Sequence, residues 1–368
     1  SGARGGGGGR GGNSAGAGGT SSSVGTGGAG QGGGGLPGGA NAGGAGGAHD
    51  GPAGPDAAQD VTMDVTAVDT RIDSAADATE RDAIPGVPSG KSAGCGKAAP
   101  AGDSATTWIK HDVDVTGVDP AFIAAHPANV GGYTWTRRNY FLRLPANYDN
   151  QKAYAIHFGG GGCGNTNGLS GNGGGFVVPG TAESGAIQIG LSYVYDNGAC
   201  FKDEYPNTPE LQYFDSIMKD LDSKYCFDRG KVFVAGYSSG AWEAYTLAFA
   251  RGGVIRGIAT AAGGLRRDRP TPARVPFAAL LLTGQNDGAN PISGPTGSAA
   301  ARDLVLQTNG CVGTATTDWP GMANCKQYTG CPAAYPVIWC TPPGDHTDGG
   351  GAYKTVISKF WSGLPNVP

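Results

Sequence analysis

Nowhere in the 368 residues do eighteen apolar residues follow one another, so no segment reads as a membrane-spanning helix. Charge is scarce as well. Only 15% of the chain is Asp, Glu, Lys or Arg, and no basic run occurs, which argues against nucleic-acid binding. No cysteine precedes Cys95, no Cys-x-x-Cys occurs anywhere, and beyond that point the only histidines are His111, His126, His157 and His346. Closely spaced zinc ligands are therefore missing, and no metal is implied. Residues 50–82 contain no aromatic side chain. The chain begins with Ser1 and carries neither an initiator Met nor an apolar signal core, which reads as a trimmed form whose export signal has been removed.

What the sequence has in excess is glycine, 70 residues, of which 25 fall within the first 50 positions. The spacing is not every third residue, so collagen is excluded. Residues 1–50 offer too little apolar side chain to offset the entropy of ordering a backbone. Residues 50–82 then set nine acidic residues against Arg71 and Arg81. From Cys95 to Pro368 there are 21 Lys/Arg and 21 Asp/Glu, so the net charge of −4 belongs to the leader. The expected organisation is a disordered Gly-rich and then acidic leader over 1–91, followed by one domain over 92–368. Such a leader would act as a surface-anchoring stalk spanning roughly 50–60 Å. The eight dispersed cysteines read as disulfides formed in an oxidising compartment, which places the protein outside the cytoplasm, secreted or at the cell surface. The cluster between Cys311 and Cys340 should pair mostly within itself, because short loops close most easily.

Strands and helices alternate from about residue 137. Tyr140–Leu144, Tyr154–Phe158, Ile187–Tyr193, Lys231–Ala235, Val254–Ala261, Phe277–Thr283 and Tyr335–Cys340 read as strands. Thr208-Pro209-Glu210 supplies an N-cap, a first-turn proline and an acid for a helix. Leu211, Phe214, Met218, Leu221 and Tyr225 then fall on one face of it. Further helices are expected at about 239–250, 298–309 and 351–361. Continuous apolar strands alternating with helices predict an α/β domain with a mostly parallel sheet covered on both faces.

Chemistry concentrates at Gly236-Tyr237-Ser238-Ser239-Gly240, between the strand 231–235 and the helix starting at 239. A Gly-x-Ser-x-Gly in a strand–turn–helix is the setting of a nucleophile elbow, whereas the plain alternative is a tight turn with glycine for packing. A serine nucleophile needs a base. His111 and His126 lie before the expected sheet, and His157 ends an early strand. His346, in the polar turn Pro343–Asp348, follows the serine as the Ser, acid, His order requires. For the acid, Asp287 sits just past the strand 277–283, in Gly284-Gln285-Asn286-Asp287. Its rivals are Asp268, Asp303, Asp318 and Asp345, and its plain alternative is a turn former. Oxyanion donors are expected at the backbone N–H of Ser239 and in the run Gly159–Gly162, with Gly160 the preferred position. A phosphate cradle is a weak reading there because no Gly-Lys-Ser/Thr follows.

These residues resemble the secreted feruloyl esterases and the related polyhydroxybutyrate-depolymerase-like esterases of the α/β-hydrolase superfamily. The resemblance rests on Ser92-Ala-Gly-Cys-Gly96, Arg138–Asp149, Tyr225-Cys-Phe-Asp228 and Val232–Ala241. It continues through Asn309-Gly-Cys311, Cys325, Tyr328-Thr-Gly-Cys331 and Tyr335–Cys340, just before His346. It implies an α/β-hydrolase fold over 92–368, a Ser238–Asp287–His346 triad and no cofactor. The implied substrate is a feruloyl ester of plant-wall polysaccharide. The sequence departs from that family in the order His157-Phe158-Gly159, where His-Gly is usual. Ser239-Gly240-Ala241 is closer to the depolymerase branch, so a polyhydroxyalkanoate depolymerase is the rival substrate reading. A catalytically silent binding module on a stalk is the rival of another class.

Overall fold

Side chains two residues apart share one face of a strand, and here both faces of the central strands are buried. In this computed structural model the described residues are 90–129, 131–163, 185–194, 200–202, 208–265, 275–347 and 349–365. The expected leader lies outside them up to residue 89. The strands are β1 (Ile109–Asp114), β2 (Arg137–Arg143), β3 (Tyr154–Gly160), β4 (Ala186–Leu191), β5 (Phe227–Tyr237), β6 (Ile255–Ala261), β7 (Ala278–Leu282), β8 (Thr316–Asp318), β9 (Cys325–Tyr328) and β10 (Val337–Cys340). The helices are α1 (Pro120–Ala125), α2 (Pro209–Lys224), α3 (Ser239–Ala250), α4 (Ser298–Thr308) and α5 (Gly350–Ser362).

All ten strands form one sheet in the order β1-β2-β4-β3-β5-β6-β7-β10-β9-β8. From β4 to β10 every neighbouring pair is parallel, and the pairs outside that block are antiparallel. Alternation divides the core into two layers. Ile156, Phe158, Val232, Val234, Ala279 and Leu281 face a cluster shared with α2, α3 and α4. Phe233, Ala235, Ala278, Leu280 and Leu282 face a second cluster closed by Tyr353, Ile357, Phe360 and Trp361 of α5. A mostly parallel sheet with helices on both faces is what the strand–helix alternation predicts, and it agrees with the α/β-hydrolase fold that the resemblance implies.

The predicted helix at 208 is α2, with Thr208 Oγ1 accepting the Glu210 N–H at 3.2 Å. Glu210 does more than favour a helix N-terminus. It is wholly buried and takes a hydrogen bond from Arg138 Nη1 at 2.8 Å, while Arg138 Nη2 donates to the Ser192 carbonyl at 2.6 Å. The guanidinium also lies 3.7 Å from the Tyr213 ring centroid. Removing one partner of such a buried pair leaves the other charge uncompensated, at about 3–5 kcal/mol. The pair therefore fixes α2 against β2.

The antiparallel wings are where the sheet extends beyond the sequence reading. His111 does not precede the sheet; it lies on β1, opposite Tyr140 of β2. Its ring stacks on Tyr140 with centroids 5.2 Å apart, and its Nε2 is 2.9 Å from Asp103 Oδ1. The strand Ile-Lys-His-Asp-Val-Asp is mostly polar because it is a sheet edge, which hides it from an apolar-run search. His126 caps α1 and packs on Phe122 at 4.4 Å. Both histidines have packing roles.

All eight cysteines are paired: Cys95–Cys226, Cys163–Cys200, Cys311–Cys331 and Cys325–Cys340. The 311–340 cluster pairs within itself, as expected. Lys91 already bridges Asp228, and Gly90 accepts from the Arg229 N–H at 2.9 Å, so residues 90 and 91 are tied to the domain.

His157 is inside β3 and not at its end, packed between Phe233 and Trp361. Burial pushes its imidazole down to about 3, so it stays neutral in the fold. Between the ordinary histidine value near 6.5 and that lowered value the unfolded chain binds a proton that the fold does not, so stability falls as pH drops. The limiting slope is about 1.4 kcal/mol per pH unit. Urea unfolding of the protein and of His157→Leu should show the wild type losing about 2 kcal/mol more than the variant between pH 6.5 and 5. Equal losses would mean that His157 does not stay neutral.

Candidate active site

Four neighbouring strands end side by side at one edge of the sheet, joined by a staircase of backbone bonds. The Ser238 N–H donates to the Ala261 carbonyl at 2.9 Å, Ala262 to Leu282 at 2.9 Å and Thr283 to Cys340 at 3.0 Å. The turn after β5 carries Ser238, the loop after β7 carries Asp287, and the loop after β10 carries His346. The topology alone brings the three predicted residues to one edge.

Ser238 sits between β5 and α3 with φ 55° and ψ −114°. A non-glycine residue at such a conformation costs on the order of 1–3 kcal/mol and persists only where its surroundings impose it. The imposing contacts are glycine to glycine. A Cβ on Gly236 would lie 2.0 Å from the Gly240 carbonyl oxygen, and one on Gly240 would lie 2.1 Å from the Gly160 carbonyl oxygen. The Gly240 N–H donates to the Gly161 carbonyl at 2.9 Å. Strand β3, the turn and the start of α3 thus meet backbone on backbone.

Asp287 is 4% exposed and His346 is half-buried. The His346 Nδ1 is 3.1 Å from Asp287 Oδ1 and 3.0 Å from Oδ2. Oδ1 also accepts the N–H groups of Ala289 at 3.0 Å and Asn290 at 2.7 Å. The turn-forming and imidazole-holding readings of Asp287 are therefore both realised, on the same carboxylate. Of its rivals, Asp303 bonds Arg302, Asp318 pairs with Lys326, and Asp345 is exposed; Asp268 lies outside the described residues. The carbonyl of Asp345 instead presses on Gly284, where a Cβ would come within 2.1 Å of it.

Among the described residues no hydrogen bond joins Ser238 Oγ to His346. Tyr237, next to Ser238 in the chain, touches His346. Its ring centroid is 5.1 Å from that of His346, and its hydroxyl donates to the His346 carbonyl at 3.4 Å. Trp242, one turn into α3, donates from Nε1 to Asn290 Oδ1 at 2.7 Å. Asn290 therefore ties the helix after Ser238 to the loop that carries Asp287, a link the sequence reading missed. Its only sequence signal is a position three residues after a turn-forming aspartate.

The glycine run divides its work. Gly160 closes β3, with its α-carbon against Gly240 and the Phe201 ring. A Cβ on Gly162 would lie 3.3 Å from Ser238 Cβ and 3.2 Å from the Tyr237 ring, so the stretch just past Gly160 runs beside the serine. Ser239 is the first residue of α3, where an N–H has no carbonyl partner within the helix. Its side-chain hydroxyl accepts the Phe201 N–H at 2.8 Å. The disulfide Cys163–Cys200 fastens the glycine turn to that same Phe201 segment.

Gly236→Ala tests the elbow. The methyl group has no space without a backbone shift, so thermal unfolding should show a loss of about 3 kcal/mol or more. A melting temperature unchanged from wild type would show that this close approach does not exist.

No known family profile matches the chain. It is 29% identical over 192 residues to the probable feruloyl esterase C of Aspergillus clavatus, covering 50% of this chain and 67% of that protein. It is 27% identical over 218 residues to feruloyl esterase C of Emericella nidulans, covering 57% and 76%. Among solved structures it resembles a ferulic acid esterase from Anaeromyces mucronatus bound to ferulic acid. That match has 14% identity and a TM-score of 0.43, covering 70% of this chain and 90% of that one. The sequence relationship and the sheet order agree: the chain is similar to feruloyl esterases and has the α/β-hydrolase fold.

Proposed function

We propose that this protein is a serine esterase that cleaves hydroxycinnamoyl esters of plant-wall polysaccharide through an acyl-enzyme. The observation that carries the proposal is the Asp287–His346 pair, hydrogen-bonded at 3.0 Å beside a serine held at φ 55°. Ser238 Oγ attacks the ester carbonyl while His346 takes the hydroxyl proton, and the tetrahedral oxyanion forms. Collapse expels the alcohol, which receives that proton from His346 and leaves the acyl group on Ser238. Water then attacks with His346 as base and releases the acid. Asp287, buried and bonded by two backbone N–H groups, holds the imidazole in its working tautomer. The serine–histidine bond belongs to the substrate complex, since such bonds are commonly loose in the free enzyme.

The oxyanion is assigned to the Ser239 N–H and to an N–H of the glycine turn that starts at Gly160. Both sit at the N-terminal end of α3, where the helix dipole favours negative charge. The half-buried Tyr237 beside His346 offers a ring face to a phenolic acyl group. Four disulfides support an extracytoplasmic location; the Gly-rich and acidic stretch before residue 90 is read, from its composition, as a surface tether.

Release of ferulate from methyl ferulate, compared with release of 3-hydroxybutyrate from its polymer, identifies the acyl group; ferulate release should dominate. Ser238→Ala should lower kcat by at least about 10^4-fold with unfolding unchanged, and Asp287→Asn by about 10^3–10^4-fold. A fluorophosphonate probe should label the wild type at Ser238. Full turnover by Ser238→Ala would refute the assignment.

A further inference from the structure

A cavity lined by described residues lies at the other edge of the sheet. It encloses about 530 Å3 between the starts of β3, β4, β5 and β6 and the end of α5. Lys231 lines it, and β5 runs seven residues from there to Ser238, or about 23 Å at ~3.3 Å per residue. The cavity is therefore separate from the catalytic edge.

Its wall is cationic. Lys152, Lys231 and Arg256 face Asp228 alone, a formal excess of two positive charges. Asp228 engages Lys231 only at 3.5 Å, and Arg256 donates to the Pro365 carbonyl at 3.1 Å. Two of the lining residues, 8% and 4% exposed, carry a buried side-chain nitrogen without a hydrogen-bond partner among the described residues, His157 Nδ1 and Trp361 Nε1. An indole N–H can only donate, so it requires an acceptor oxygen. Buried polar groups normally find partners, and these two find none among the described residues. The volume is far too large for one small anion, since a water takes only about 30 Å3, and it falls in the range of small-molecule sites.

We propose that this cavity is a second binding site for a carboxylate-bearing oligosaccharide, a uronate-containing segment of the polymer. The lysines and Arg256 take the carboxylate, and Trp361 Nε1 and His157 Nδ1 meet ring and hydroxyl oxygens. The positive wall calls for an anion. The choice of an acidic sugar rests on the polysaccharide substrate proposed above. Bound there, the polymer would be held by one edge of the sheet while its ester is presented to the other.

Calorimetric titration of the full chain with trigalacturonate, xylotriose and inorganic phosphate tests this. Trigalacturonate should bind, weaken as salt is raised, and weaken at least about tenfold in the exposed double variant Lys152→Met/Lys231→Met. Methyl ferulate turnover should be unchanged in that variant, since neither lysine is near Ser238. The proposal falls if trigalacturonate does not bind, if xylotriose or phosphate binds as tightly, or if the double variant binds normally. Esterase activity is read separately on methyl ferulate. Its absence with uronate binding intact would overturn the esterase reading and leave this site standing.

Discussion

The approach of three glycines, Gly160, Gly236 and Gly240, is the constraint on which the molecule's chemistry depends. Their backbones come together so closely that no Cβ fits at Gly236 or Gly240. That approach brings α3 hard against the ends of β3 and β5, and it forces the intervening serine to positive φ. The helix N-terminus, the strained serine and the glycine turn are one packing event seen from three sides. Stability lost in the serine's conformation is recovered in the two core layers, where Phe158, Phe214, Phe227 and Tyr353 are almost wholly out of water.

Much of the parallel core was legible because continuous apolar strands leave a plain signal. β3, β5, β6 and β7 are mostly apolar over their buried stretches, and α2 announces itself through Thr208-Pro209-Glu210. The antiparallel wings were not legible. β1 carries lysine, histidine and two aspartates, because an edge strand faces water on one side. β8 has only three residues, all exposed. Burial writes the sequence pattern, and where burial stops the pattern stops.

The site divides in the same way. That Ser238, Asp287 and His346 share one edge of the sheet could be read from chain order, since each follows a recognisable strand. The supporting residues could not. Asn290 acts through its main-chain N–H and its side-chain oxygen together, and neither bond has a sequence signature. His157 shows the reverse: its residue type invites a chemical role, yet it lies inside a strand on the α5 face. Only the strand register shows which way it points. The glycine run is similar, because four identical residues cannot announce that Gly160 packs and Gly162 lies beside the serine.

Cys340 is the last residue of β10 and is bonded to Cys325 on β9, and His346 follows six positions later. The histidine's loop thus leaves from a cross-linked anchor, and it re-enters the fold at α5 through the left-handed Gly349. A hairpin at the rim of the sheet, contributing no side chain to the site, thereby limits how far the imidazole can stray from its carboxylate. The rim is free to vary in sequence and shape only as long as that leash keeps its length.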